Sequence, residues 1–303
     1  MPHYLFDLYS AFTDSAFGGS HAGIIYDGEG LTTETMQQIA REVRAPATCF
    51  VMSAKDREVG VRFFSTAQEY PMCGHGTLAL MTGLVSRGYL DISRGSSDEV
   101  TLRTPASSAT VAVDHQDDGR IEVMLNLEPA EFEPASIDEK TLERLFGAGA
   151  GDLDGSLPVE YTRSDFSHLV IPMPSLLGVQ SLAPDFEQLV DYCEQADIDT
   201  VVLFCRETVE AQNTVHCREF APRVGTPEVP AAGTTNRALA CYLVRHNLIA
   251  PETGPTTCIR AEQGHEIQRP SLVVTRMTLN GNLPTDIWVG GFSAQVVRGQ
   301  FSV

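Results

Sequence analysis

Pro71-Met72-Cys73-Gly74-His75-Gly76-Thr77-Leu78-Ala79-Leu80 is the stretch from which the fold of this chain is read. A β-branched and aromatic run, Val61-Arg62-Phe63-Phe64, leads into it as a strand. Apolar residues at Leu78, Leu80, Met81, Leu84 and Val85 leave it as a helix. Two glycines at the junction allow a tight turn and a close approach to a ligand. The first N–H groups of the helix, near Gly74, Gly76 and Thr77, have no partner inside it. They suit a carboxylate, which the helix dipole also attracts. Alone, Cys73 reads as a small buried hydrophobe and His75 as a satisfied polar group. Side by side between two glycines, they read as a proton-transfer pair next to an anion hole. A phosphate loop does not fit, because its G-x-x-x-x-G-K-[ST] spacing and lysine are missing.

The rest of the composition narrows the class. A chain of 303 residues, 43% hydrophobic and 20% charged, suits two ordinary domains or one large one. Acidic residues outnumber basic ones 40 to 21, and a net charge of −19 argues against nucleic acid and anionic membranes as partners. Seven cysteines, odd in number and without a C-x-x-C pair, argue against a disulfide framework and against a metal site. No basic leader and no membrane-length apolar run is present, so a reduced, cytoplasmic protein is expected.

Working outward, Tyr4–Phe12 and Ala22–Tyr26 read as strands on either side of a loop at Phe17-Gly18-Gly19-Ser20-His21. A helix capped by Thr32 carries Met36, Ile39, Ala40 and Val43 on its buried stripe. Ser93–Glu99 reads as a loop and Glu128–Pro134 as a crossover between domains. In the second half, strand Val215–Phe220, a Gly/Pro-rich turn Gly225–Thr235 and a helix through Ala238 to Leu243 repeat the first motif. There Ala232-Gly233-Thr234-Thr235 stands where Cys73-Gly74-His75-Gly76 stood, half the chain away. The repeat predicts two similar domains, each aiming a glycine-bearing helix end at a shared cleft. One central helix among many strands in each half predicts an α+β fold. Trp288-Val289-Gly290-Gly291 reads as an edge or turn near the end.

These motifs resemble the phenazine-biosynthesis (PhzF-like) family of the diaminopimelate epimerase and proline racemase superfamily. The resemblance runs through Phe17-Gly18-Gly19, Met36–Ala40, Arg62–Ser65, Glu69–Thr77, Phe220-Ala221-Pro222, Glu262–Ser271 and Val289-Gly290-Gly291. It implies two pseudo-symmetric domains, each a curled sheet around a central helix. Their bounds are 1–127 with a terminal strand at 290–303, and 128–289, with the active site in the cleft. It further implies cofactor-independent acid/base isomerisation of a small carboxylate, in a homodimer of specialised metabolism such as antibiotic biosynthesis.

The departures set the expected chemistry. The family's acid after the first helix falls on Ala47, and that of the second-half turn on Val229, so the phenazine enzyme's own reaction is not expected. Met72–Thr77 is similar to the first cysteine motif of the proline racemases, but their second cysteine falls on Ala232. A two-thiol racemase is therefore not expected. A one-sided shuttle is, with Cys73, His75 or Glu69 removing and returning a proton to shift a double bond. At a helix N-terminus the Cys73 thiol should have a lowered pKa. Glu69 reads equally as pocket carboxylate and as turn residue, and Glu228 stands next to the missing acid. Gly74, Gly76, Thr77, Ser20, His21, Gly233, Thr234 and Thr235 are the expected substrate contacts, with no metal. Cys49, Cys193, Cys205, Cys217, Cys241 and Cys258 read as core, and His216 as structural. The substrate suggested by the racemase-like motif is an unsaturated cyclic imino acid of a 4-alkylproline pathway. A binding scaffold without activity and a Cys73-dependent hydroxyproline-type epimerase or dehydratase are the alternatives.

Overall fold

The computed structural model describes residues 2–148, 153–164, 166–249 and 255–303. The chain divides into two compact units, Met1–Asn126 with Gly290–Val303, and Leu127–Val289.

The first unit runs β1 (His3–Ala11), β2 (Ser20–Ile25), α1 (Thr33–Val43), β3 (Ala47–Lys55), β4 (Glu58–Phe64), β5 (Glu69–Tyr70), α2 (Gly74–Ser86), β6 (Ser96–Arg103), β7 (Ser108–His115) and β8 (Ile121–Leu127). Thr32 caps α1, its hydroxyl accepting from the Thr35 N–H. Strands joined through a helix pair in parallel, β2 with β3 and β4 with β6, and the remaining neighbours pair antiparallel. The last strand of the chain pairs with both β1 and β8, so eight strands close into a ring. At its centre lies α2, buried without interruption from Gly76 to Val85. A helix apolar all round has to be enclosed rather than laid on a surface, and the sheet curls for that reason. Leu78, Leu80, Met81 and Leu84 are each at most 1% exposed, about 1.5–3 kcal/mol of burial apiece. The far end of α2 is pinned by Arg87, which makes two 2.7 Å bonds to fully buried Asp7 on β1, while Tyr26 donates to the same carboxylate.

The second unit runs β9 (Glu131–Pro134), α3 (Glu139–Phe146), β10 (Glu160–Arg163), β11 (His168–Pro172), α4 (Leu176–Gln180), α5 (Phe186–Ala196), β12 (Thr200–Cys205), β13 (Val215–Ala221), β14 (Thr226–Val229), α6 (Gly233–Arg245), β15 (Thr256–Gln263) and β16 (Ser271–Asn280). The order of pairing repeats that of the first unit. The strands β11 and β12 are parallel across a helical connection, β13 returns antiparallel, and β15 lies parallel to β13 across α6. The central helix α6 is buried from Thr235 to Val244. The fold is α+β and of the diaminopimelate-epimerase type, two similar halves each curled around one helix.

Five local expectations are corrected. Ser20 and His21 are not in a loop but open β2, paired with Ala11 and Ser10. The strand β6 begins at Ser96, inside the expected loop, and β9 occupies the expected crossover. The turn before α6 contains β14, which pairs with β13 as the two-residue β5 pairs with β4. Trp288–Gly291 is no edge; it lies inside the 20-residue strand β17 (Leu283–Ser302). Gly290 is needed there for contact, since a Cβ would stand 1.8 Å from the Val123 carbonyl oxygen of β8.

Candidate functional site

The start of α2 is built by its cap. Cys73 is the N-cap residue in extended conformation, and its carbonyl oxygen accepts from both the Thr77 N–H (2.9 Å) and the Thr77 hydroxyl (2.8 Å). Thr77 is fully buried and spent on the cap, so its expected contact with substrate is corrected. The N–H groups of Gly74 and His75 keep no partner inside the helix. A Cβ on Gly74 would meet nothing within 4 Å, so open space lies over that turn. Gly76 is glycine for another reason: a Cβ would press to 3.1 Å from Phe63 and 3.2 Å from the Cys49 sulfur. Both glycines are helical, so close packing rather than a tight turn explains Gly76.

The Cys73 sulfur lies 3.5 Å from Nδ1 and 3.7 Å from Nε2 of His75, so either ring nitrogen can exchange a proton with it. Cys73 is 7% exposed and His75 half-buried. Burial pushes the Cys73 thiol up to about 12, opposed by a hydrogen bond from the Gly76 N–H. The expected lowered pKa is thus corrected: desolvation outweighs the helix end. Burial also draws His75 down to about 4. At neutral pH the site holds a thiol against a neutral imidazole.

The other expected residues of this unit divide. Both carboxylate oxygens of Glu69 accept from Arg62, at 2.8 and 2.7 Å, and Arg62 also reaches Thr33. Glu69 therefore stands as an anchor of β5. Ser20 is buried and His21 half-buried on β2, while Ala47 opens β3 with no exposed surface.

In the second unit, α6 begins from Ala232, also extended, whose carbonyl accepts from the Asn236 N–H (3.2 Å) and side-chain amide (2.9 Å). Gly233 and Thr234 are half-buried, with N–H groups free of helical partners. Thr235 is fully buried and donates to Glu219 Oε1 at 2.6 Å, so its expected substrate contact is corrected as well. Glu228 makes a two-pronged pair with Arg218 (2.9 Å twice) and lines a hollow of about 560 Å³ with Phe186 and Ile267. His216 bridges Glu262 and Glu266 at 2.9 Å each. Cys258 is half-buried rather than core; the other five cysteines expected there are buried.

Sequence reasoning missed Glu219, Asn236 and Gln263. Asn236 accounts for the cap, and Gln263 joins Asn236, Glu219 and the Val229 carbonyl. The available signal was His216-Cys217-Arg218-Glu219 inside a strand buried at every position, where charged residues persist only with partners. Among the described residues no three His, Cys, Asp or Glu side chains gather as a metal site, and no helix is long and apolar enough to cross a membrane.

Comparison with known proteins places this geometry. An uncharacterized isomerase of Clostridium acetobutylicum is 28% identical over 302 residues, covering 97% of each chain. A trans-2,3-dihydro-3-hydroxyanthranilate isomerase of Pseudomonas chlororaphis is 26% identical over 302 residues, covering 99% of each. The crystal structure of the Bacillus anthracis phenazine biosynthesis protein, PhzF family, superposes with a TM-score of 0.89 at 25% identity, over the whole of both chains. The phenazine biosynthesis-like protein family matches residues 9–299, and the chain belongs to that family.

Proposed function

We propose that this isomerase shifts a double bond in a small unsaturated carboxylate by proton transfer at the Cys73–His75 pair. The observation that carries the reading is the Cys73 sulfur 3.5 Å from His75 Nδ1 at the open start of α2, where burial favours the neutral form of both groups. A thiol that burial keeps protonated has a proton to give, and an imidazole that burial keeps neutral has a lone pair to offer. His75 removes a proton from the carbon whose anion is conjugated to the carboxylate, breaking that C–H bond. Cys73 gives its S–H proton to the distal carbon, forming the new C–H bond as the double bond moves. The imidazolium then returns a proton to the thiolate across the 3.5 Å contact, restoring both groups. The N–H groups of Gly74 and His75 hold the carboxylate and the enolate-like charge that builds on it. The first turn of α6, with Gly233 and Thr234, is proposed as a second anion-binding element on the same argument.

The name of the Pseudomonas chlororaphis relative supports a cyclic, partly unsaturated carboxylate as substrate class. An unsaturated cyclic imino acid of a 4-alkylproline pathway is the narrower form, and rests on the racemase-like string around Cys73. The same reading has the enzyme working as a cytoplasmic homodimer in specialised metabolism. The test is proton NMR in deuterated water on a panel of dihydroaromatic and dehydroproline carboxylates, with wild type, Cys73→Ala and His75→Ala. Label entering a substrate and its shifted product, and lost in both variants, supports the reading. Turnover that survives both substitutions sinks it.

A further inference from the structure

A hollow of about 230 Å³ lies within the first unit, between the last turns of α2, the paired strands β1 and β17, and the turn joining β7 to β8. Thr82 and Ser86 line it, about 13 and 20 Å along the helix from Cys73, so it stands apart from the thiol–imidazole pair. Its inner wall is made of hydroxyls. Tyr9, 2% exposed, lies directly across from Gln295, whose amide donates to the tyrosine oxygen at 3.2 Å, and Ser86 bonds the same oxygen. Two residues back along β17, Ser293 faces Ala11, a side chain with no polar atom to offer. The Ser293 Oγ is shielded from solvent and has no hydrogen-bond partner among the described residues. A hydroxyl so placed costs free energy that a polar ligand recovers.

The rim carries both signs of charge. Arg120 lies with its guanidinium 4.6 Å from the centre of the Phe292 ring and donates through Nε to Asp118 at 2.7 Å. Ring and carboxylate fix the guanidinium plane and leave its terminal nitrogens for a second carboxylate. Asp14, in the loop after β1, is kept close to Ser293 because the neighbouring Thr13 N–H donates to the Phe292 carbonyl at 3.2 Å. The negative end of α2 acts with Asp14 to favour a cation, and it disfavours a ligand that is only an anion. An acid, a base and hydroxyls that both donate and accept match a zwitterion. The volume, below the roughly 300–1,000 Å³ of pockets for drug-sized ligands, limits that zwitterion to a small one. We propose that this hollow is a binding site for a free α-amino acid, with its ammonium toward Asp14 and the end of α2, its carboxylate on Arg120, and the Ser293 hydroxyl bonded to it. The site does not depend on the chemistry proposed for Cys73.

Amide NMR of the full chain, with each of the protein L-amino acids added in turn, tests the proposal. At least one is expected to shift the Asp14, Arg120 and Ser293 amides saturably and to leave those of Gly74 and His75 in place. Its N-acetyl derivative, which lacks the ammonium, and its methyl ester, which lacks the carboxylate, should each bind at least about tenfold more weakly. Arg120→Gln and Asp14→Asn, both at exposed positions where folding is not at stake, should each raise the Kd about tenfold, and Ser293→Ala about threefold. Amides around the hollow that no amino acid shifts would overturn the proposal. So would shifts confined to Gly74 and His75, or equal binding of the N-acetyl and ester forms.

Discussion

The two central helices begin alike and do different work. Cys73 and Ala232, at the two caps, share an extended backbone, φ −145° and ψ 109° against φ −140° and ψ 127°. Four residues on, Thr77 and Asn236 hold the capping carbonyl with side-chain bonds of 2.8 and 2.9 Å. At the far ends, a basic C-cap residue meets a buried acid, Arg87 with Asp7 and His246 with Glu160. The difference is confined to a few side chains. Cys73, His75 and Gly76 are replaced by Ala232, Thr234 and Thr235, and a thiol–imidazole pair gives way to a hydroxyl tied to a buried acid. The comparison teaches that the repeated scaffold supplies a helix end, and that the chemistry at each end is set by what stands in its first turn.

The largest effect expected from this contrast is catalytic. Cys73→Ala should lower solvent-label incorporation by about 10²–10⁴-fold, while Thr234→Ala, at the corresponding place in α6, should leave the rate of the chemical step within about tenfold. Rapid-quench NMR of substrate in deuterated water reads both. Next comes the anchoring of α2. Arg87→Ala leaves Asp7 buried without a cationic partner, the Tyr26 hydroxyl alone donating to it, and should cost about 3–5 kcal/mol in urea unfolding.

The pH dependence of stability separates the ends further. The folded pKa of Glu219 is raised from 4.5 to about 7, so its neutral form's contribution is whole below about 4.5 and lost as pH climbs to about 7. Wild type should lose on the order of 3 kcal/mol across that window relative to Glu219→Gln, in melts taken at each pH. The smallest effects concern the caps: Thr77→Val should cost about 0.5–1.5 kcal/mol, and Asn236→Leu the same for its cap bond plus a further loss because Gln263 is also stripped of its partner. A cost confined to one helix would break the equivalence of the two caps.

Much of this was open to reading in the linear chain, for identifiable reasons. The helix at Gly74–Ser86 and its echo at Gly233–Arg245 follow from apolar spacing next to glycine-bearing turns, and the Thr32 cap from its hydroxyl at a helix start. The short strands β5 and β14 escaped because two and four residues carry no periodicity. Gly290 looked like a turn because a glycine needed for contact with Val123 cannot be told locally from one needed for a turn. The protonation of Cys73 was misread for the same kind of reason. Its position at a helix start is local, whereas the packing that dries it comes from the closed sheet. Glu219 escaped because its partners, Thr235 and Gln263, lie 16 and 44 residues away.

The claim on which the contrast turns is that α2 presents a neutral thiol and a neutral imidazole. Nitrogen NMR of the His75 ring in the full chain, titrated from pH 3.5 to 9 in wild type and Cys73→Ala, tests it directly. The ring is expected to stay neutral above pH 5 in both proteins and to gain a proton only near 4. An imidazolium signal at pH 7 in wild type that is lost in Cys73→Ala would reveal a thiolate–imidazolium pair and contradict the account.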